Sequence, residues 1–381
     1  MKPGITAYTS ASAAGVGNAA FAAALAQGRT ALQPFDDGRL STWVGRVADD
    51  GPLPAALAHW DCRATRLAWL GLQADGFAAR VPRGRVGVVI GTSSSTIAVS
   101  EQAYRELTPD GSFVERLRNP RLNTPHALAM FVQQALGVQG PCVTVSTACS
   151  SSAKAFAVAT RWLRLDLCDA VVVGGIDALG ASLLHGFRAL GLVSPAPCRP
   201  FDAARSGISL GEAAAFVLLQ PEGALRLAGY GEAQDAHHMS APHPRGLGAE
   251  AALDAALARA QLDIAAIDHL NLHGTASAQN DEVEAALVAR RYAPGTAAAA
   301  TKGLTGHTMG AAGALEAVAC LLAIEHGTVP GRFGTEAPDP AFGSAFAAML
   351  PPQAQRRPVR RAASHSFGFG GSNAVLIVEA A

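Results

Sequence analysis

An α/β fold made of two related halves is predicted by three observations. Continuous apolar runs recur along the chain: "VGVVIGT" at 86–92, "VTVST" at 143–147, "AVVVGG" at 170–175 and "AAFVLLQ" at 214–220. Unbroken runs of this kind suit strands covered on both faces. Between them lie Ala- and Leu-rich helical stretches, 126–136 and 152–165. After Pro221 the alternation starts again.

The second half repeats the rhythm in order. "AALDAALARAQL" (251–262) reads as helix, "HLNLHGT" (269–275) as a strand running into a loop, and "EVEAALVARRY" (282–292) as helix. "GALEAVACLLAIEHG" (313–327) is a long helix and "SNAVLIVEA" (372–380) a closing strand. No sequence repeat is visible, so the duplication rests on the rhythm alone. It divides the chain into halves at 1–222 and 223–381. The segments 192–211 and 232–248 are long for loops of a compact domain, a common sign of function.

Composition narrows the function. The 381 residues are 49% hydrophobic and 16% charged, which implies much interior for little surface. Thirty basic residues balance thirty acidic ones, leaving no global field to attract nucleic acid or a membrane surface. The six cysteines, 62, 142, 149, 168, 198 and 320, form no CxxC pair. They fit reduced thiols in a cytoplasmic protein better than a disulfide framework or a metal site. The alanine-rich N-terminus is interrupted by Thr, Ser, Asn and Gly, and reads as strand, turn and helix rather than a leader. No stretch is expected to be long and apolar enough to span a bilayer. "GTSSSTI" lacks the glycine and lysine pattern of a phosphate loop.

Four segments place unusual residues at strand ends. They are "TACSSS" with Cys149, "NLHGTASAQNDEVE" (271–284), "TKGLTGHTMGAAGALE" (301–316) and "SHSFGFGGSNA" (364–374). Each alone has an ordinary explanation. Cys149 could be a small buried filler, Asp281 could serve only the dipole of its helix, and "GFGG" could be a tight turn. All four ordinary explanations holding together is the weaker reading. A thiol where a buried strand turns into a helix is also well placed for a nucleophile, the helix N-terminus favouring its thiolate.

In this order the four segments resemble the β-ketoacyl-acyl-carrier-protein synthases, condensing enzymes of the thiolase superfamily. "RPFDAARSGISLGEAAAFVLL" (199–219) resembles their connecting segment, and the likeness covers nearly the whole chain. The resemblance implies a five-layer αβαβα fold of duplicated halves and a dimer. It implies that Cys149 accepts the acyl group. His273 and His307 would bind the malonyl thioester carbonyl and stabilise the enolate left by decarboxylation. Lys302, partnered by Glu316, would hold the electrostatics of that pair. Backbone N–H groups of Cys149 and Phe369 would form an oxyanion hole, and Phe369 would also gate the acyl pocket. Thr275 and Ser277 match hydroxyls that hold the phosphopantetheine arm, beside Phe367. Asp281 and Glu284 match supporting acids. No metal or cofactor is implied beyond the arm of an acyl carrier protein.

Some positions depart from the family pattern. His365 stands where the family has Asn, and Ser206 where it has Asp; both are expected near the pocket gate. Ser94 aligns with an aliphatic pocket-floor residue, which suggests a deeper pocket or an unsaturated or aromatic-headed chain. Arg63 and Arg66, one helical turn apart, are candidates for docking an acidic carrier protein, or an ordinary solvated face. "STACSSSAKAF" with "GISLGEAAAF" resembles the condensing enzymes of aryl polyene clusters more than housekeeping fatty-acid synthases. That type pairs with a cysteine-less chain-length partner, so a homodimer and a heterodimer both stay open. A degradative thiolase would carry a second catalytic cysteine, a chalcone-type synthase Cys-His-Asn, and a chain-length factor no nucleophile.

Overall fold

The computed structural model describes residues 2–48 and 51–381. Ten strands carry the fold. In the first half they are β1 (Gly4–Ser12), β2 (Val86–Gly91), β3 (Cys142–Val145), β4 (Ala170–Asp177) and β5 (Ala213–Gln220). In the second they are β6 (Leu225–Gln234), β7 (His269–Asn271), β8 (Ala297–Ala299), β9 (Arg361–Gly368) and β10 (Ser372–Ala380).

The spatial order is β3-β2-β4-β5-β1 in one half and β8-β7-β9-β10-β6 in the other. Counted from the start of each half, both read third, second, fourth, fifth, first. The directions match too. The third, second and fourth strands run parallel, and the fifth is antiparallel to the fourth and the first. A short antiparallel pairing, Gly4 with Arg226 and Ile5 with Leu225, joins the halves. The duplication invisible as a sequence repeat is therefore complete as topology.

Why the strands read as unbroken apolar runs is clear from the packing. Helices α1 (Arg63–Gln73) and α2 (Ala127–Leu136) cover the outer face of the first half. Helices α3 (Ser151–Arg164) and α7 (Ala312–His326) lie between the halves. Helices α5 (Leu247–Ala260) and α6 (Ala278–Arg291) serve the outer face of the second; α4 (Ala181–Ala189) lies at the periphery. Successive strand residues point to opposite faces. Val171, Val173, Val217 and Leu219 thus pack with Phe156 of α3 and Val318 of α7 in the central core. Val172, Phe216 and Leu218 pack with Leu67 and Phe131 in the outer one. In the second half Leu376 and Val378 face inward while Val375 and Ile377 meet Leu253 and Val288. Five layers result, αβαβα.

The two central helices approach closely. A Cβ on Gly313 would lie 2.6 Å from the Ala153 backbone nitrogen, so this crossing requires glycine. Helix α7 also corrects one expectation. Met309–His326 is long and apolar enough to cross a membrane, with mean hydropathy 1.4, yet 83% of it is buried inside the protein. Its all-round apolarity comes from lying between the two halves of the sheet.

Candidate active site

Strand β3 stops at Val145, and the chain turns sharply before α3 begins at Ser151. Ala148 holds φ = 53°, a left-handed conformation uncommon for a residue with a side chain. That turn presents Cys149, 7% exposed, toward the second half. The serines act differently from simple helix caps, and α3 has no side-chain cap. Ser151 Oγ accepts the Thr147 N–H at 2.9 Å, within the turn. Ser152 Oγ accepts the Ala314 N–H at 2.9 Å and ties α3 to α7.

Opposite the thiol stand the two histidines, one from the loop after β7 and one before α7. His307 Nε2 is 3.0 Å from Cys149 Sγ, and its Nδ1 accepts the Met309 N–H at 3.2 Å. An accepting Nδ1 fixes the tautomer: the ring proton sits on Nε2 and faces the sulfur. The His273 ring stands 5.5 Å from that of His307, at 89° to it. Its Nδ1 is 3.3 Å from Lys302 Nζ. Lys302 also donates to Glu316 in an ion pair only 2–3% exposed. An ammonium beside Nδ1 places the His273 proton on Nε2 as well. Burial, and then the Lys302 charge, hold both histidines well below the usual imidazole range, so both are neutral. Burial pushes the Glu316 carboxyl up to about 7, against the pull of Lys302.

The thiol itself departs from expectation. Burial pushes Cys149 up to about 11; Lys302 and the backbone N–H groups of Phe369 and Cys149 pull it down, and Asp177 opposes them. A thiol resting below its pKa, not a preformed thiolate, is what this enclosure favours. Both N–H groups lie close enough to the sulfur to favour its ionised form.

A cavity of 560 Å3 opens over Cys149. His273, His307, Thr275, Ser277, Phe367 and Phe369 line it, as does Ser206. Thr275 and Ser277 share a hydroxyl contact of 2.9 Å. Phe369 stacks 5.7 Å from Phe187 of α4. Behind the wall, Asp281 accepts N–H groups from Phe201, Thr275 and Ala276. Burial lifts its carboxyl to about 7. Glu284 accepts the N–H groups of His273 and Gly274, each at 2.8 Å. The sequence-derived residues around Cys149 are thus brought together from both halves.

Three expectations are corrected. Ser94 does not line this cavity; its hydroxyl donates to Asp177 Oδ1 at 2.6 Å, so it does not form the floor of this cavity. Arg63 does not offer itself for docking. It is ion-paired with Glu212, which is 1% exposed, and donates to the Val47 carbonyl at 2.7 Å. Arg66 grips Asp61 through two hydrogen bonds of 2.6 and 2.7 Å, so that patch carries no net positive charge. His365 is not at the gate but fully buried behind Phe367.

Asp177 was missed by sequence reasoning. It is fully buried at the end of β4, accepting the N–H groups of Ser93, Ser94 and Gly310, and so pins two loops near the site. An acid closing an apolar run, "VVVGGID", was the available signal.

Comparison with known proteins decides the family. Residues 57–224 match the beta-ketoacyl synthase N-terminal domain, and residues 225–336 its C-terminal domain. The chain belongs to the beta-ketoacyl synthases. It is 36% identical to nodulation protein E of Rhizobium meliloti (strain 1021), over 77% of this chain and 75% of that protein. It is 31% identical to 3-oxoacyl-[acyl-carrier-protein] synthase 2 of Coxiella burnetii, over 77% of this chain and 75% of that one. Among solved structures it resembles a ketosynthase, ApeO, in complex with its chain length factor, ApeC, from Xenorhabdus doucetiae. That match has a TM-score of 0.90 at 34% identity, over all of this chain and 98% of the other. This ketoacyl synthase is accordingly an acyl-transferring enzyme that forms carbon–carbon bonds.

Proposed function

We propose that this enzyme condenses malonyl-acyl-carrier protein with an acyl group held on Cys149, releasing CO2 and a β-ketoacyl carrier thioester. The contact that carries the reading is His307 Nε2 at 3.0 Å from Cys149 Sγ, with the His273 ring beside it.

In the first half-reaction the sulfur attacks the carrier thioester. The tetrahedral oxyanion would lie on the N–H groups of Cys149 and Phe369. Collapse expels the pantetheine sulfur, which leaves with the proton that the thiol gives up. His307 is a poor resting base for that proton, because its Nε2 already holds one. In the second half-reaction malonyl carrier enters the same cavity. Loss of CO2 leaves an enolate whose oxygen meets the Nε2–H groups of His273 and His307. Neutral donors suit a charge that develops on that oxygen only as CO2 leaves. The enolate carbon then attacks the acyl thioester of Cys149, and the oxyanion forms again on the two N–H groups; its collapse breaks the acyl–sulfur bond, frees the β-ketoacyl carrier thioester and returns Cys149 as a thiolate that takes a proton from water. Thr275, Ser277 and Phe367 line the path of the pantetheine arm. No metal or cofactor enters beyond that arm.

The pathway we propose is an aryl polyene or related polyketide type, with housekeeping fatty-acid elongation as the alternative. The sequence features around Cys149 support it. We also propose assembly as a dimer, with a chain-length-factor-like subunit or a second copy. Strand β3, at the edge of the sheet and half-buried throughout, is a suitable seam. The six free thiols suit a cytoplasmic setting.

The test of the pathway loads saturated, polyunsaturated and aryl carrier thioesters and records which acylate Cys149. Preference for polyunsaturated aryl chains supports the proposal; preference for saturated chains favours fatty-acid elongation.

A further inference from the structure

His365 is fully buried on β9, two residues before Phe367 and four before Phe369. Its Nδ1 lies 3.0 Å from Glu284 Oε1, and its Nε2 lies 2.8 Å from the Tyr292 hydroxyl. Tyr292 closes α6 from the C-terminal side and is itself buried. Glu284 accepts the His273 and Gly274 amides and the Asn280 side-chain amide, and faces His365 Nδ1. A carboxylate fits that set, so His365 Nδ1 donates to it and Nε2 accepts the Tyr292 O–H. The result is a buried chain, Tyr292 to His365 to Glu284 to the His273 backbone.

A second route runs through rings. The Phe367 ring lies 5.1 Å from the His365 ring and 5.6 Å from the His273 ring, tilted against both. His365 therefore touches both groups that fix His273 from behind, its backbone anchor and its ring neighbour. It contacts neither Cys149 nor the cavity.

We infer that His365 is a positioning residue for His273, acting through Glu284 and Phe367 on the decarboxylation half-reaction and not on acylation of Cys149. This rests on the reading of His273 as a donor to the enolate. The geometry distinguishes two isosteric replacements. Asparagine places an amide nitrogen near the Nδ1 position and keeps the donor to Glu284. Glutamine places its amide near the Nε2 position, keeping a partner for Tyr292 while losing the donor to Glu284.

The experiment measures both half-reactions on intact enzyme: CO2 release from malonyl carrier, and acylation of Cys149 by mass spectrometry. His365→Gln is expected to lose decarboxylation by about 10- to 100-fold, the scale of a misplaced catalytic group. Its acylation rate should stay within about threefold, because the oxyanion donors are untouched. His365→Asn should retain decarboxylation within about threefold. Equal decarboxylation in the two variants, the reverse order, or parallel loss of both half-reactions in His365→Gln would overturn the assignment. His273→Ala run alongside separates the two readings. If it keeps decarboxylation, the role of His273 fails; if it loses decarboxylation while His365→Gln does not, only the role of His365 fails.

Discussion

His307 holds its Nε2 3.0 Å from the Cys149 sulfur while its Nδ1 accepts the Met309 backbone N–H at 3.2 Å. The two contacts together make the ring a fixed donor aimed at the reacting centre. His307→Ala should therefore cut malonyl decarboxylation by about 10²–10³-fold, the usual cost of one preorganised donor. Cys149 should still be acylated, since its two backbone N–H donors remain. Rapid-quench measurement of each half-reaction decides it; equal loss in both would point to a shared role as base.

The thiol gives a pH prediction. Burial favours the neutral form and raises Cys149 to about 11, above the ~8.5 of a free cysteine. Raising an acid's pKa shrinks its ionised fraction at neutral pH. Alkylation by iodoacetamide, followed by intact mass, should then climb steadily from pH 7 to 9 without levelling. A plateau reached below pH 8 would mean that the helix end and nearby donors outweigh burial.

Lys302 and Glu316 form a nearly dry pair. Lys302→Met leaves Glu316 buried and uncompensated, a loss of about 3–5 kcal/mol in urea unfolding. Lys302→Met with Glu316→Leu should recover most of that stability. It should not recover decarboxylation, because His273 Nδ1 still lacks its donor. Recovery of activity in the double variant would remove Lys302 from the account of His273.

The arginines of α1 separate by burial. Arg63→Glu would face the buried Glu212 carboxylate, with an expected loss of about 3–5 kcal/mol. Arg66→Glu breaks an exposed pair with Asp61 and should cost about 1 kcal/mol or less. Thermal unfolding compares them. Similar midpoints would contradict the structural role of Arg63.

Much of this was legible in sequence, for identifiable reasons. Apolar runs such as 170–175 suit doubly covered strands, and β2 to β5, β7 and β10 were legible that way, whereas β6, β8 and β9 carry no such unbroken run and were not read. Cys149, His273, Lys302 and His307 stood out because reactive groups sat at strand ends among glycines. Arg63 misled because helical spacing says which residues share a face, not which acid from another strand reaches them. Glu212 is 149 residues away. Ser94 misled for the same reason: its partner Asp177 comes from the neighbouring strand. His365 registered as a departure at the gate, yet its place was set by Tyr292 and Glu284, 73 and 81 residues distant. Long-range polar pairing is what a local reading does not contain.

The most direct test is intact-mass analysis in two steps. Enzyme is incubated with acyl carrier thioester, then chased with malonyl carrier. Acyl transfer through Cys149 predicts a mass gain of one acyl group, absent in Cys149→Ala, that disappears on the chase as β-ketoacyl carrier and CO2 form. An acyl group that loads equally on Cys149→Ala, or that stays bound through the chase, would contradict it.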